Sequence, residues 1–214
     1  MKKILAMTLL CCVVFVHTQA IAKEPKVSKS KHFDALKVYF DKDYALNDTI
    51  EFAVFDMSDT KIINDSPRIT SNSKPGQESQ DNSLSAQEEL QASLDSLPKY
   101  FYQSLKKYIL TNQVPVTLFP SKSPDYALPL KLYIKVKRIH LKPFTRNSQG
   151  NYGQPIEMRI YGQIKDKKTG KTLLKFYDAA TSHFMLGKKQ APRALSSITR
   201  QLMHDLSLYL KTKY

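Results

Sequence analysis

Leu128-Pro129-Leu130-Lys131-Leu132-Tyr133-Ile134-Lys135-Val136-Lys137-Arg138-Ile139-His140-Leu141 is the stretch on which the fold turns. Leu128, Leu130, Leu132, Ile134 and Val136 alternate with Pro129, Lys131, Tyr133, Lys135 and Lys137. That is the period of a β-strand with one face in a core and the other, basic face toward water. After Lys137 the phase slips by one residue, and a β-bulge near Arg138 would return Ile139 and Leu141 to the core face.

Working forward, a Gly, Asn and Pro rich turn spans Asn147 to Pro155. Ile156, Met158, Ile160 and Ile164 then alternate with Glu157, Arg159, Tyr161, Gln163 and Lys165. Asp166 to Lys171, with Gly170, reads as a hairpin turn, and Leu174 and Phe176 belong to the returning strand. Pro192 stands where a helix would begin, and Leu195, Ile198, Leu202, Leu206 and Tyr209 line one side of it.

Working backward, Val114, Val116 and Leu118 make a short strand closed by Pro120. Leu90, Leu94, Leu97, Phe101, Leu105 and Ile109 recur at helical spacing, behind a capping box of Ser85 and Glu88. Pro98 either kinks that helix or opens a second one capped by Asp95 or Ser96. Strands are expected from Phe33 to Phe40 and from Ile50 to Phe55, the second apolar on both faces toward its end and therefore central. The expected fold class is α+β, a two-layer sandwich in which a mostly antiparallel sheet is covered by two main helices.

Other segments do not belong to that core. Residues 64–85 hold only Ile69 and Leu84 as large aliphatics, too little apolar area to offset ordering entropy, and read as a disordered insertion. Met1-Lys2-Lys3, the apolar run Ile4 to Val16 and Ala20-Ile21-Ala22 have the order of a secretory signal peptide cleaved before Lys23. The apolar run covers about 20 Å as a helix, short of a bilayer core of roughly 30 Å, which disfavours an uncleaved anchor. The expected organisation is a signal peptide at 1–22, a flexible leader at 23–32 and a single α+β domain at 33–214. The expected location is periplasmic or secreted, with no transmembrane segment in the mature chain.

Cys11 and Cys12 are the chain's only cysteines. Neither has a small residue before it, as lipidation would require, and both would leave with the signal. Disulfides, cysteine-ligated zinc and cysteine nucleophiles are then excluded from the mature protein. Charge is uneven: residues 23–98 carry nine basic and fourteen acidic side chains, and residues 99–214 carry twenty-two and five. The carboxy-terminal part therefore faces a polyanion, an anionic surface or an acidic partner, unless the acidic part packs beside it.

At this order of elements the chain resembles a recurring type of bacterial envelope domain related in architecture to the amino-terminal domain of TolB. The likeness is carried by Ile50 to Asp56, Leu97 to Leu110, Asp125-Tyr126-Ala127-Leu128, the Asp166 to Thr172 turn and the closing helix from Pro192. It implies an uncharacterised lipoprotein or an accessory part of an envelope assembly, although this chain lacks a lipidation cysteine.

No catalytic constellation emerges. Gly170-Lys171-Thr172 mimics the end of a P-loop, but Lys165 stands where that motif needs glycine, and the loop joins two strands. His32, His140, His183 and His204 are too far apart in sequence for a helical zinc motif, and no serine elbow is present. No cofactor is expected.

The candidate binding surface is the basic sheet face: Lys131, Tyr133, Lys135 and Lys137 on one strand, with Arg159, Tyr161 and Lys165 on its neighbour. Cations interleaved with rings grip phosphates or sugars. The plain alternative is a solvated face that keeps an open sheet soluble. These readings lead to an exported, non-enzymatic envelope accessory or adaptor that binds a protein partner through the sheet face or edge. The second is a polyanion-binding protein for lipid or glycan, nucleic acid being disfavoured outside the cell; the third is a hydrolase with a scattered site.

Overall fold

The computed structural model describes residues 32–38, 49–65, 88–120, 130–143, 145–146, 152–182 and 190–212. The signal segment, all of the leader but His32, and the capping box at Ser85 lie outside the described residues. So does the 64–85 insertion apart from its first two residues, which belong to the fold: Asn64 pairs with Leu141, and the Asp65 amide donates to the Leu141 carbonyl at 3.0 Å. Asn64 and Asp65 thus belong with the sheet, because Ile62 and Ile63 sit in one more short strand that ends at Asn64.

The elements in chain order are β1 (Ala35–Val38), β2 (Thr49–Asp56), β3 (Lys61–Asn64), α1 (Leu97–Thr111), β4 (Thr117–Pro120) and β5 (Leu130–Leu141). They continue with β6 (Thr145–Arg146), β7 (Tyr152–Gly153), β8 (Ile156–Asp166), β9 (Thr172–Thr181) and α2 (Ala191–Lys211). The main sheet runs β1-β9-β8-β5-β2-β4. β3 continues the lane of β2: β2 pairs with the first half of β5, and β3 with Arg138 to Leu141. The pairs β5–β8, β8–β9 and β9–β1 are antiparallel, whereas β2 and β3 run parallel to β5 and β4 runs parallel to β2. The sheet is thus mixed, since α1 returns the chain to the same sheet as a crossover between β2 and β4. β2 is internal, as its apolar composition requires.

The bulge falls at Lys137. Val136 pairs with Ile160 and Arg138 with Arg159, leaving Lys137 as the extra residue. Leu130, Leu132, Ile134, Val136, Ile139 and Leu141 are all buried. Were Lys137 instead accommodated in regular alternation, with no bulge, Ile139 and Leu141 would face water.

Both helices cover one face of the sheet. Pro98 and Pro192 occupy their first turns, where a missing N–H leaves no hydrogen bond unmade. A helical segment at 88–93 and a 3-10 turn at Leu94–Ser96 precede α1, so Pro98 opens a new helix with Ser96 at its cap, though the Ser96 side chain makes no capping bond. Leu97, Phe101, Leu105 and Ile109 from α1 join Leu195, Ile198, Leu202 and Leu206 from α2 in the core. At about 1.5–3 kcal/mol per buried aliphatic or aromatic side chain, this layer is the principal source of stability. The turn between β8 and β9 needs Gly170, whose φ is +68°.

Candidate functional site

Parity along each strand builds the site. The side chains of β5, β8 and β9 that miss the core emerge on the helix-free face in cross-strand rows. Lys131 faces Lys165; Tyr133 faces Gln163, which faces Lys175; Lys135 faces Tyr161, which faces Tyr177. Next come Arg138, Arg159 and Ala179, then His140, Glu157 and Thr181. Of the residues expected on this face, Lys131, Tyr133, Lys135, Arg159, Tyr161 and Lys165 share it. Lys137 does not belong to the rows: it is the bulged residue, and Arg138 takes its place opposite Arg159.

Much of the basic charge is neutralised by neighbours. Lys135 Nζ lies 3.0 Å from Asp56 and 2.5 Å from Asp59, at the end of β2 and in the turn after it. Hydrogen bonds from the Ser58 hydroxyl and amide, and then from Lys135, hold the Asp56 carboxyl well below the usual range. The same contacts raise the Lys135 ammonium, with Asp59 the larger cause. Lys167 reaches Glu51 at 2.8 Å.

Glu157 serves three cations: Arg159 at 2.7 Å, Lys142 at 2.8 Å and Arg138 at 3.3 Å. Burial, the largest single influence, pushes its pKa up, but hydrogen bonds from Lys142, Arg159 and Arg138 together hold it at about 2. His140 pairs with Asp65. The acidic amino-terminal part of the chain thus packs beside the basic sheet and supplies Glu51, Asp56, Asp59 and Asp65 to it.

What remains is a patch of rings and two lysines. Lys131 and Lys165 have no carboxylate within ion-pair distance among the described residues, and both ammonium groups sit over the Tyr133 ring, 5.5 and 5.2 Å from its centroid. Like charges directly opposite on a ladder cost stability, and Tyr133 relieves only part of this. Beside them Tyr161 and Tyr177 pack ring to ring at 5.0 Å, and the Tyr161 hydroxyl donates to Gln163 at 3.1 Å. Tyr177 is 43% exposed, one of three exposed large hydrophobic side chains among the described residues. Tyr177 and Gln163 were absent from the expected set, yet parity announces both, since Tyr177 follows the core residue Phe176.

Among the described histidines, His32 and His204 both lie near Asp205, and His140 stands apart from them. His140 lies at the far end of the sheet, His183 lies outside the described residues, and His204 sits 3.8 Å from Asp205 and edge-on to Tyr108 at 4.9 Å. The charges of His204 and then His32 pull the Asp205 pKa down, against the larger upward push of burial. On the helix side of β9, Asp178 is buried, with Oδ1 accepting from the Ala179 amide at 2.9 Å and Oδ2 without a partner. Burial, with the charges of Asp205 and Asp34, pushes its pKa up to about 7. No group of three or more metal-ligating side chains forms among the described residues.

No family model and no curated protein matches the chain. Among solved structures it is similar to the PelC dodecamer from Paraburkholderia phytofirmans, at 10% identity and a TM-score of 0.35 over 74% of this chain and 87% of that one. A chain described as a lipoprotein from Caulobacter crescentus aligns at 12% identity and a TM-score of 0.38, over 54% of this chain and 81% of the other. A Helicobacter pylori homologue of a neuraminyllactose-binding hemagglutinin aligns at 11% identity and a TM-score of 0.31, over 78% of this chain and 85% of its own. Likenesses this distant assign no function.

Proposed function

We propose that the chain is an exported, non-enzymatic protein of the cell envelope, an accessory or adaptor that binds a protein partner through the open face of its sheet. The observation that carries this reading is the ring pair of exposed Tyr177 and half-buried Tyr161 beside Tyr133 and its two lysines. Tyrosines offer large, rigid contact area with a polar tip, which is why they are enriched at protein interfaces. The ion pairs around them leave a face of interleaved sign rather than one positive field, and such a face selects a complementary protein. Export rests on residues 1–22, and the likeness to envelope domains of the TolB amino-terminal type belongs to the same proposal.

The polyanion reading through the sheet face is favoured by Lys131 and Lys165, which have no ion-pair partner among the described residues. Affinity capture from envelope extract separates the two. A protein retained by the wild type, and lost with Tyr161→Ala/Tyr177→Ala, supports the adaptor. Retention of heparin that collapses at moderate salt and vanishes with Lys131→Gln/Lys165→Gln, with no protein captured, supports the polyanion reading instead.

A further inference from the structure

The larger unpaired positive charge lies on the opposite side of the molecule from the sheet face. α1 carries Lys99, Lys106 and Lys107 and no acidic residue; α2 carries Arg193, Arg200 and Lys211 against a single acid, Asp205. All six cations are exposed, and none forms an ion pair among the described residues. Asp205 is only partly exposed and has His204 as its contact, while Glu88, Glu89 and Asp95 stand on the segment before α1.

Periodicity places these cations together. The buried side chains of each helix point to the sheet, so Lys99, Gln103, Lys106 and Leu110 form the outer stripe of α1, and Arg193, Ser197, Arg200, His204 and Lys211 that of α2. The helices run in the same direction side by side, since Tyr108 meets His204 and Asn112 donates to Ser207 at 2.7 Å. Both stripes therefore look outward from one layer. The fifteen residues of α1 span about 22 Å.

We propose that this outer helix surface docks on an anionic membrane, with its cations at the lipid phosphates and Leu110 below them. Leu110 distinguishes a membrane from other polyanions: it is 71% exposed at the carboxy-terminal end of the lysine stripe, one turn beyond Lys106 and Lys107. A glycan sulfate or a nucleic-acid backbone has nothing to offer a leucine, whereas a headgroup layer takes the apolar side chain while lysine stems reach back to the phosphates. Tyr108, in the seam between the helices, has the ring-and-hydroxyl character suited to that boundary. Among the described residues no helix is long and apolar enough to cross a membrane, so the docking is peripheral. This inference does not rest on the sheet-face reading, and the two surfaces can be occupied together.

The chain contains no tryptophan, so Leu110→Trp installs a single reporter at the contact. Exported protein is used, freed of the apolar residues 1–22 whose own affinity for lipid would mask the effect. With vesicles of phosphatidylglycerol and phosphatidylcholine in equal parts, the reporter's emission shifts to the blue. With phosphatidylcholine alone it does not, and moderate salt reverses the shift. Lys99→Gln/Lys106→Gln/Lys107→Gln lowers partitioning about a hundredfold, at about fivefold per cation. Lys131→Gln/Lys165→Gln leaves it unchanged. The proposal is overturned if no shift occurs, if the sheet-face variant removes binding while the helix variant does not, or if heparin competes for protein whose reporter never shifts on lipid.

Discussion

Gly162 lies directly opposite Phe176 on the β8–β9 ladder, and the Phe176 ring covers it so closely that a Cβ at 162 would stand 2.0 Å from Cζ. The ring in turn stacks on Phe33 at 4.8 Å, which joins the amino-terminal end of the described fold to the centre of the core. Gly162→Ala therefore destabilises by about 1–3 kcal/mol, the usual range for overpacking, as read from urea midpoints. Combined with Phe176→Leu, the alanine costs much less than it does alone, because the two positions share one space.

Glu157 makes part of the stability depend on pH in acid. Its folded pKa of about 2 lies below the ordinary 4.5, so its contribution is complete above pH 4.5 and is lost as pH falls toward 2. Glu157→Gln is less stable than the parent at pH 7, and the gap closes as pH falls through that window in denaturant titrations. The variant also releases Arg138, Arg159 and Lys142, and so elutes later from a cation exchanger.

Asp178 acts in the opposite sense. Its folded pKa of about 7 exceeds the ordinary 3.8, so the native state holds an extra proton between those values, and stability falls as pH rises through them. The charges that add to its burial are Asp205 and Asp34. Asp178→Asn removes the charge and keeps the shape: melting temperatures match the parent near pH 4 and exceed it at pH 8.

The bulge at Lys137 predicts an asymmetry between two deletions in β5. Removing Lys137 leaves Val136, Ile139 and Leu141 on the core side and straightens the strand, so the protein still unfolds cooperatively. Removing Tyr133 flips one half of the strand relative to the other, and cooperative unfolding is lost. Circular dichroism melts of the two proteins decide the point.

The alternation of Leu130 to Leu141 and of Ile156 to Ile164 made the central strands, their pairing and the bulge legible, because a half-buried strand records its burial in every second residue. The leucine spacing of α1 and α2 did the same for the helix layer. Parallel pairing was not legible, since β2 and β4 carry no mark of which neighbour they join. The two-residue strands β6 and β7, within a turn expected to be irregular, are too short to have a period. At the site, parity placed six of the seven expected side chains on one face, but it could not show that Asp56 and Asp59 reach Lys135 or that Glu157 holds Arg159. Ion pairs between strands distant in sequence depend on register, and composition alone made the face look more basic than it is.

The central claim, a protein partner on the open sheet face, is tested most directly by a photo-crosslinker placed in the living cell. Tyr177→benzoylphenylalanine puts the probe on the exposed ring position, and the same substitution at Thr117 on edge strand β4 and at Leu110 on the helix layer provides controls. The account predicts one discrete protein adduct from position 177 that is absent at 117 and 110 and disappears when Tyr161→Ala is added. Adducts of equal yield at all three positions, or none at 177, would contradict it.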